Sequence, residues 1–204
     1  LKELNHPNIL KIIDFSYCGI CYYENGEKEE TIYIVTELAV YKTFYDILSG
    51  TKTPLPEPVA KFYFKQLIEV LNFAKRQGFC HRDIKLQNLF INKDFDLILG
   101  DFGFSSYLNK HGDRYLLTCL GTPYYVSPEV LENRPYLGDR ADVFSSGVAL
   151  FFLLTLFFPF KSPTLEGDSL DVLYEKIAKK DKEGFLQSFK EKFLSRLISL
   201  LDNE

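Results

Sequence analysis

A short polar stretch between two strongly apolar segments constrains the fold of this chain more than any other part of its sequence. Residues 81–88 read HRDIKLQN, and thirteen residues after Asn88 a second string, DFG, begins at Asp101. Asp83 can accept a proton and Lys85 can face a phosphate. Asn88 and Asp101 carry the oxygen atoms that a hard cation such as Mg²⁺ prefers. Together these groups supply what phosphoryl transfer requires, because its catalysis consists mainly of positioning and charge neutralisation.

The two strings, in this order and spacing, resemble the catalytic loop and the magnesium-binding loop of eukaryotic protein kinases. The resemblance covers nearly the whole sequence, from Leu1 to about Leu201. It implies an α+β, protein kinase-like two-lobe fold, made mostly of the helical C-lobe with a remnant of the N-lobe sheet. Residues 1–40 would be the C-terminal part of the N-lobe and the hinge, and residues 41–204 a C-lobe truncated before its last helices.

The resemblance also implies an activity and its cofactors, ATP and Mg²⁺. Asp83 would be the catalytic base of a kinase that transfers the γ-phosphate of ATP, and Lys85 would neutralise that phosphate. Asn88 and Asp101 would hold Mg²⁺. The spacing from Asp83 to Lys85 resembles serine/threonine kinases and not tyrosine kinases, so the expected substrate is a protein that presents serine or threonine.

Further residues receive roles in ATP binding from the same resemblance. Thr36 matches the gatekeeper, and Glu37 and Ala39 lie in the hinge whose backbone groups bind adenine. Phe90 matches the residue beneath the adenine ring. Residues 41–43 read YKT where many family members have a Gly-Gly-acid stretch, so the substrate sequence preference stays open. Supporting roles around the catalytic loop fall to His81, Arg82, Phe102, Gly103, Thr122, Glu129 and Asp142.

Residues 104–126 form a long polar stretch with few periodic features, and a loop of this length is uncommon unless it is functional. It runs into GTPYYVSPE at residues 121–129, which resembles the end of a serine/threonine kinase activation segment, with Ser127 where alanine is usual. Thr118 stands where many kinases carry an activating phosphothreonine, added by an upstream kinase. Arg82 would then bind the phosphate as a bidentate donor. An unmodified loop threonine is the alternative.

Periodicity and turn signals predict most of the helices and strands. An apolar run over residues 9–15 predicts a buried strand, and Asn25-Gly26 predicts a hairpin turn before a return strand over residues 32–38. Apolar residues at three- and four-residue spacing predict a helix whose stop signal is Gly78. The predicted helices cover residues 58–77, 140–158, 169–179 and a segment from residue 191, and a further hairpin joins residues 89–91 to 97–99.

Charge and hydropathy argue against two classes of partner. A formal net charge of −4 and the lack of a long basic run give no electrostatic footprint for nucleic acid or for a membrane surface. The most apolar segment, residues 143–158, is shorter than the roughly 20 residues that span a bilayer. We therefore expect a buried central helix and no membrane span.

The cysteines leave two interpretations open. Cys18 and Cys21 have the spacing of a redox or zinc motif, or they are small residues in a strand or hairpin. The second interpretation is favoured because no second cysteine pair or nearby histidine accompanies them. Cys80 and Cys119 are isolated, and four unpaired cysteines suit a reducing compartment, so a cytoplasmic location is expected.

The start of the chain bears on which function to expect. The first residue is Leu1 and the sequence contains no Met, so we expect an excerpt of a longer protein. The resemblance places the Gly-rich loop, the β3 lysine and its αC glutamate partner before Leu1. The open hypotheses are a serine/threonine kinase, a pseudokinase scaffold or inactive fragment, and a small-molecule kinase of related fold. The intact motif residues favour the first. Leu117-Thr118 and residues 139–160 resemble calcium/calmodulin-type kinases.

Overall fold

The computed structural model describes residues 4–108 and 114–160 of the chain. Helices and short antiparallel sheets alternate along the described residues, which confirms the predicted α+β class. The predicted helices over residues 169–179 and from residue 191 lie outside the described residues. The division into residues 1–40 and 41–204 stays a prediction.

The N-terminal part of the described chain is a long antiparallel hairpin. β1 (Ile12–Tyr22) pairs with β2 (Lys28–Thr36), and Gly26 occupies the turn with a φ of 85°. The predicted hairpin is confirmed, although β2 begins four residues earlier than predicted. The predicted burial of the first strand is wrong, because Ile13 and Phe15 are 60% and 39% exposed. Among the described residues only β2 packs extensively on β1, and a two-stranded sheet leaves both faces open.

A short helix that periodicity did not predict follows the hinge. β3 (Tyr41–Thr43) leads directly into α1 (Phe44–Thr51). The Thr43 hydroxyl accepts a hydrogen bond from the Asp46 N–H at 3.1 Å, and the Asp46 carboxylate accepts one from the Thr43 N–H at 3.2 Å. This capping box satisfies two N–H groups at the helix start. Its Thr-x-x-Asp spacing is the local signal from which α1 could have been predicted.

α2 (Glu57–Arg76) is the long helix that the apolar spacing predicts, displaced by one residue at each end. Gly78 follows it with a φ of 82°, as expected of a C′ glycine. The chain then enters β4 (Phe79–Cys80), and from there the polar loop begins.

Short strands hold the polar loop at both ends. β5 (Leu89–Ile91) lies between β3 and β6 (Leu97–Leu99) in a three-stranded sheet, so the predicted hairpin is confirmed. β7 (Ser106–Tyr107) pairs with β4 and closes the other side of the loop. Because β4 and β5 bracket residues 81–88, the polar loop is tethered at both of its ends.

The polar stretch after DFG contains structure that its sequence pattern did not reveal. β8 (Tyr115–Leu116) pairs with β9 (Tyr136–Leu137), and α3 (Pro128–Leu131) lies between them in sequence. The prediction of an unstructured loop over residues 104–126 is therefore wrong at β7 and β8. A strand of two residues is too short to show the alternation by which strands are recognised.

α4 (Gly138–Thr155) is the predicted central helix. It begins two residues and ends three residues earlier than predicted, because Leu156 adopts a left-handed φ of 63° and caps the helix through its N–H. No helix among the described residues is long and apolar enough to cross a membrane. α2 and α4 pack together in the main core, to which they contribute Ala60, Tyr63, Leu67, Val70, Leu71, Val148, Ala149 and Leu153.

Two glycines of α4 give opposite predictions for the same substitution. A methyl group at Gly138 would lie 2.3 Å from the Cys80 Sγ and 3.0 Å from the Leu116 Cδ1. We expect Gly138→Ala to lower the free energy of unfolding by about 1–3 kcal/mol, because β4 or β8 must move. A methyl group at Gly147 meets no heavy atom within 4 Å among the described residues, so Gly147→Ala is expected to raise that free energy by about 0.5–1 kcal/mol. Chemical denaturation of both variants measures the difference, and a Gly138→Ala protein as stable as the unaltered chain would contradict it.

Candidate active site

A buried carboxylate anchors the loop that connects β4 to β5. Asp142, on α4, accepts hydrogen bonds from the backbone N–H groups of His81 and Arg82, each at 2.7 Å. Arg82 has a φ of 68°, a conformation that costs a non-glycine residue roughly 1 kcal/mol or more. The two hydrogen bonds offset that cost. Burial raises the pKa of Asp142 to about 7, although the two N–H donors act in the opposite direction.

His81 joins the loop to the DFG segment. Its Nδ1 accepts a hydrogen bond from the Asp83 N–H at 3.2 Å, so Nε2 carries the proton and donates to the Gly100 carbonyl at 2.9 Å. The imidazole packs edge-on against Phe102, with ring centroids 4.6 Å apart. Burial lowers the pKa of His81 and keeps the ring neutral. These contacts give His81 a structural position and not that of an acid or a ligand.

Asp83 lies at the centre of a cluster of four side chains. It is 5% exposed, and its Oδ1 accepts a hydrogen bond from the Thr122 hydroxyl at 2.6 Å. Its Oδ2 accepts from the Lys85 ammonium at 2.7 Å and from the Asn88 amide at 3.1 Å. Lys85 also donates to the Thr122 hydroxyl oxygen at 2.9 Å. Thr122 therefore joins the segment after β8 to the polar loop through hydrogen bonds.

The two residues that the resemblance assigns to Mg²⁺ are connected through the backbone. The Asn88 Nδ2 donates to the carbonyl and to the carboxylate of Asp83, which turns the amide oxygen away from Asp83. The Gly100 N–H donates to the Asn88 carbonyl at 2.9 Å, which brings the next residue, Asp101, close to Asn88. Asp101 is exposed with a φ of 55°, and its Oδ1 accepts a hydrogen bond from the Gly103 N–H at 3.3 Å.

This donor set fits a hard cation. A carboxylate and an amide oxygen are the ligands that Mg²⁺ takes from a protein when phosphate oxygens and water complete its shell. Among residues 4–108 and 114–160, no three histidine, cysteine, aspartate or glutamate side chains are grouped so that they could hold a metal by themselves. The four cysteines are free, and Cys18 and Cys21 lie in β1.

The hinge residues lie apart from this cluster. Thr36 ends β2, and both Thr36 and Glu37 are exposed, whereas Ala39 is half-buried. Glu37 is bonded to Lys11 through two hydrogen bonds, each at 3.0 Å. The segment continues into β3, where Thr43 pairs with Phe90 of β5. The sheet thus connects the hinge to Phe90.

Thr118 is exposed, and Tyr136 connects it to Arg82. The Tyr136 hydroxyl donates to the Thr118 carbonyl at 2.9 Å. Burial raises the pKa of Tyr136, and a hydrogen bond with Arg82 opposes that effect. The Arg82 Nε donates to the Phe104 carbonyl at 2.5 Å, so its side chain lies between the DFG segment and the Thr118 region. Glu129 is the second residue of α3, and its carboxylate forms no ion pair within the described residues.

The structure adds two features that the sequence analysis missed. Tyr125 is buried beneath the loop, and its carbonyl accepts a hydrogen bond from the Ser145 hydroxyl at 2.8 Å, which joins the GTPYYVSPE string to α4. The Lys75 ammonium lies 2.7 Å from the Asp139 carboxylate. The first belongs to a string already recognised as a motif. The second joins residues far apart in sequence, and no local pattern indicates it.

Comparison with known proteins adds independent evidence. The sequence matches the protein kinase domain family over residues 1–203. It is 36% identical over 179 residues to CBL-interacting protein kinase 31 of Oryza sativa subsp. japonica, covering 87% of this chain and 36% of that protein. It is 38% identical over 179 residues to CBL-interacting serine/threonine-protein kinase 7 of Arabidopsis thaliana, covering 87% of this chain and 38% of that protein.

A kinase with a different name is also similar to this chain. The sequence is 34% identical over 179 residues to the maternal embryonic leucine zipper kinase of Danio rerio, covering 88% of this chain and 24% of that protein. The chain thus spans between 24% and 38% of the length of these relatives. The order of the motifs, the geometry around Asp83 and the family match lead to one conclusion: this chain belongs to the protein kinase domain family.

Proposed function

We propose that this chain carries the catalytic loop of a serine/threonine protein kinase, which transfers the γ-phosphate of ATP to serine and threonine hydroxyls of proteins. The observation that carries the proposal is the arrangement around Asp83, whose two carboxylate oxygens are held by Thr122, Lys85 and Asn88. A pseudokinase that binds partners without catalysis has no need of this arrangement. The intact cluster therefore favours an enzyme.

Asp83 is the proposed base. Each carboxylate oxygen has two lone pairs, and Oδ1 accepts a single hydrogen bond among the described residues, from Thr122. A substrate hydroxyl can therefore donate to Oδ1 without displacing Thr122. Asp83 takes the hydroxyl proton as the hydroxyl oxygen bonds to the γ-phosphorus of ATP, while the bond from that phosphorus to the β–γ bridging oxygen breaks and ADP leaves. The contacts to Lys85 and Asn88 hold the carboxylate at a fixed angle, which supplies the positioning on which phosphoryl transfer depends.

The remaining groups deal with the negative charge of the phosphates. Lys85 is half-buried beside Asp83, so its ammonium lies where it can stabilise the charge on the transferred group. Asn88 and Asp101 would hold Mg²⁺, which neutralises phosphate charge when it is bound. Thr36, Glu37 and Ala39 of the hinge would hold the adenine ring from its edge, with Phe90 beneath the ring.

The family comparison supports serine and threonine as acceptors, and the free cysteines suit a reducing compartment. The relatives include proteins named serine/threonine-protein kinases, and the Asp-x-Lys spacing agrees with that class. We propose a protein substrate, a cytoplasmic location and activation by an upstream kinase that phosphorylates Thr118. Phosphate on Thr118 would add about −1.5 to −2 charge close to Arg82, which can pair with it through two hydrogen bonds.

The role of Asp83 is tested by a substitution that keeps its shape. Asp83→Asn in the protein that carries this chain is expected to lower the rate of phosphate transfer from ATP to serine or threonine peptides by at least about 100-fold, because the base is lost. Asp94→Asn, an exposed carboxylate in the turn between β5 and β6, is the matched control and should retain the rate. Phosphate release and peptide labelling measure both, and an Asp83→Asn enzyme with near-normal turnover would exclude this mechanism.

The role of Thr118 is tested by mapping phosphate on the protein isolated from its native cells. Mass spectrometry is expected to find phosphate on Thr118, and Thr118→Ala is expected to reduce activity by about tenfold, because the Arg82 partner is lost. Thr53→Ala, at another exposed loop threonine, should change neither activity nor the rest of the phosphate map. The proposal is contradicted if the unaltered protein carries no phosphate on Thr118 and the Thr118→Ala variant is fully active.

A further inference from the structure

An ion pair joins the end of α2 to the start of α4. The Lys75 Nζ lies 2.7 Å from the Asp139 Oδ2, and the side chains are 46% and 9% exposed. Lys75 stands in the last turn of α2, and Asp139 stands in the first turn of α4. A cation at a helix C-terminus and an anion at a helix N-terminus each interact favourably with the helix dipole. The two charges therefore stabilise both helix ends as well as attracting each other.

The Asp139 carboxylate depends on Lys75 for its neutralisation. Its Oδ1 is buried and has no hydrogen-bond partner among the described residues, and the Arg140 Nε lies farther away, at 3.9 Å from Oδ2. A largely buried carboxylate that loses its close partner is strongly unfavourable. Removing the Lys75 ammonium should therefore disturb the position of Asp139, whereas an exposed surface pair would tolerate the same change.

The ion pair closes a ring of contacts around the base of the catalytic loop. From Lys75 the chain runs through β4 to His81 and Arg82, whose N–H groups donate to Asp142. Asp142 lies less than one helical turn after Asp139 on α4, and Asp139 returns to Lys75 through the ion pair. A displacement of α2 relative to α4 therefore moves the two N–H donors relative to the carboxylate that accepts from them.

We propose that Lys75 and Asp139 are positioning residues, whose ion pair fixes the end of α2 against the start of α4 and so keeps Asp142 in contact with the catalytic loop. The structural part of this inference concerns the loop alone. Its consequence for phosphate transfer rests on the proposed kinase function. Neither residue touches the reacting groups around Asp83, so both act through Asp142.

The test measures the two hydrogen bonds directly. Amide hydrogen exchange of His81 and Arg82 is followed by NMR in the whole chain carrying Lys75→Met, Asp139→Asn, both together, or Lys75→Arg. We expect exchange of these two amides to accelerate by about tenfold in each single variant and no further in the double variant. Lys75→Arg should restore the protection, because it keeps the charge. Lys65→Met removes an exposed pair with Glu69 on the same helix, at 3.8 Å, and should leave the two amides unchanged.

The comparison with core amides separates positioning from general stabilisation. If exchange of Leu67 and Val70 in α2 accelerates as much as exchange of His81 and Arg82, the pair stabilises the whole fold and the inference is overturned. Unchanged protection of His81 and Arg82 in both single variants also overturns it. Loss of protection confined to His81 and Arg82 supports the inference. If the unaltered chain transfers no phosphate, that result counts only against the proposed function. In an active protein, Lys75→Met should lower kcat with little change in KM for ATP.

Discussion

The interaction on which the rest of the site depends is the pair of hydrogen bonds from the Asp142 carboxylate to two successive N–H groups. They hold His81 and Arg82 in a strained backbone turn at the point where the chain leaves β4. Hydrogen bonds to a charged group are worth about 1.5–3 kcal/mol each, enough to offset the strain of one left-handed residue. Burial raises the pKa of Asp142 to about 7, and the two N–H donors oppose that shift because they favour the ionised form.

Further hydrogen bonds connect the residues that Asp142 holds to the rest of the site. The His81 ring, held between the Asp83 N–H and the Gly100 carbonyl, connects the catalytic loop to the segment that carries Asp101. Asn88 bonds to Asp83 through its side chain and to Gly100 through its carbonyl. Each polar side chain at the centre is therefore fixed by at least one buried neighbour. Such support is what a reaction that depends on positioning requires, because the donors and acceptors need no rearrangement as charge develops.

The sequence predicts the parts of this molecule whose signal is local. Each signal lies within a short window: the HRDIKLQN and DFG strings, the apolar period of α2, its glycine stop and the Asn-Gly turn. The structure contains the helix, its glycine end and the hairpin that the last three predict. The burial of β1 was predicted wrongly, because burial depends on whether another layer covers the strand. The strands β7 and β8 were missed because two residues show no period. The Lys75–Asp139 pair joins residues far apart in sequence, so no sequence window contains it. The resemblance assigned Thr122 a supporting role at the loop, and the structure adds its hydrogen bond to Asp83.

On the basis of family membership and the geometry around Asp83 we propose phosphate transfer to a serine or threonine hydroxyl, and the identity of the acceptor tests this proposal most directly. The protein that carries this chain is incubated with Mg²⁺ and ATP labelled at its γ-phosphate, together with a peptide mixture that offers serine, threonine and tyrosine equally. The labelled amino acids are then separated. The proposed activity predicts phosphoserine and phosphothreonine without phosphotyrosine, and no label when Mg²⁺ is withheld. Label on tyrosine, or no labelled amino acid at all, would contradict it.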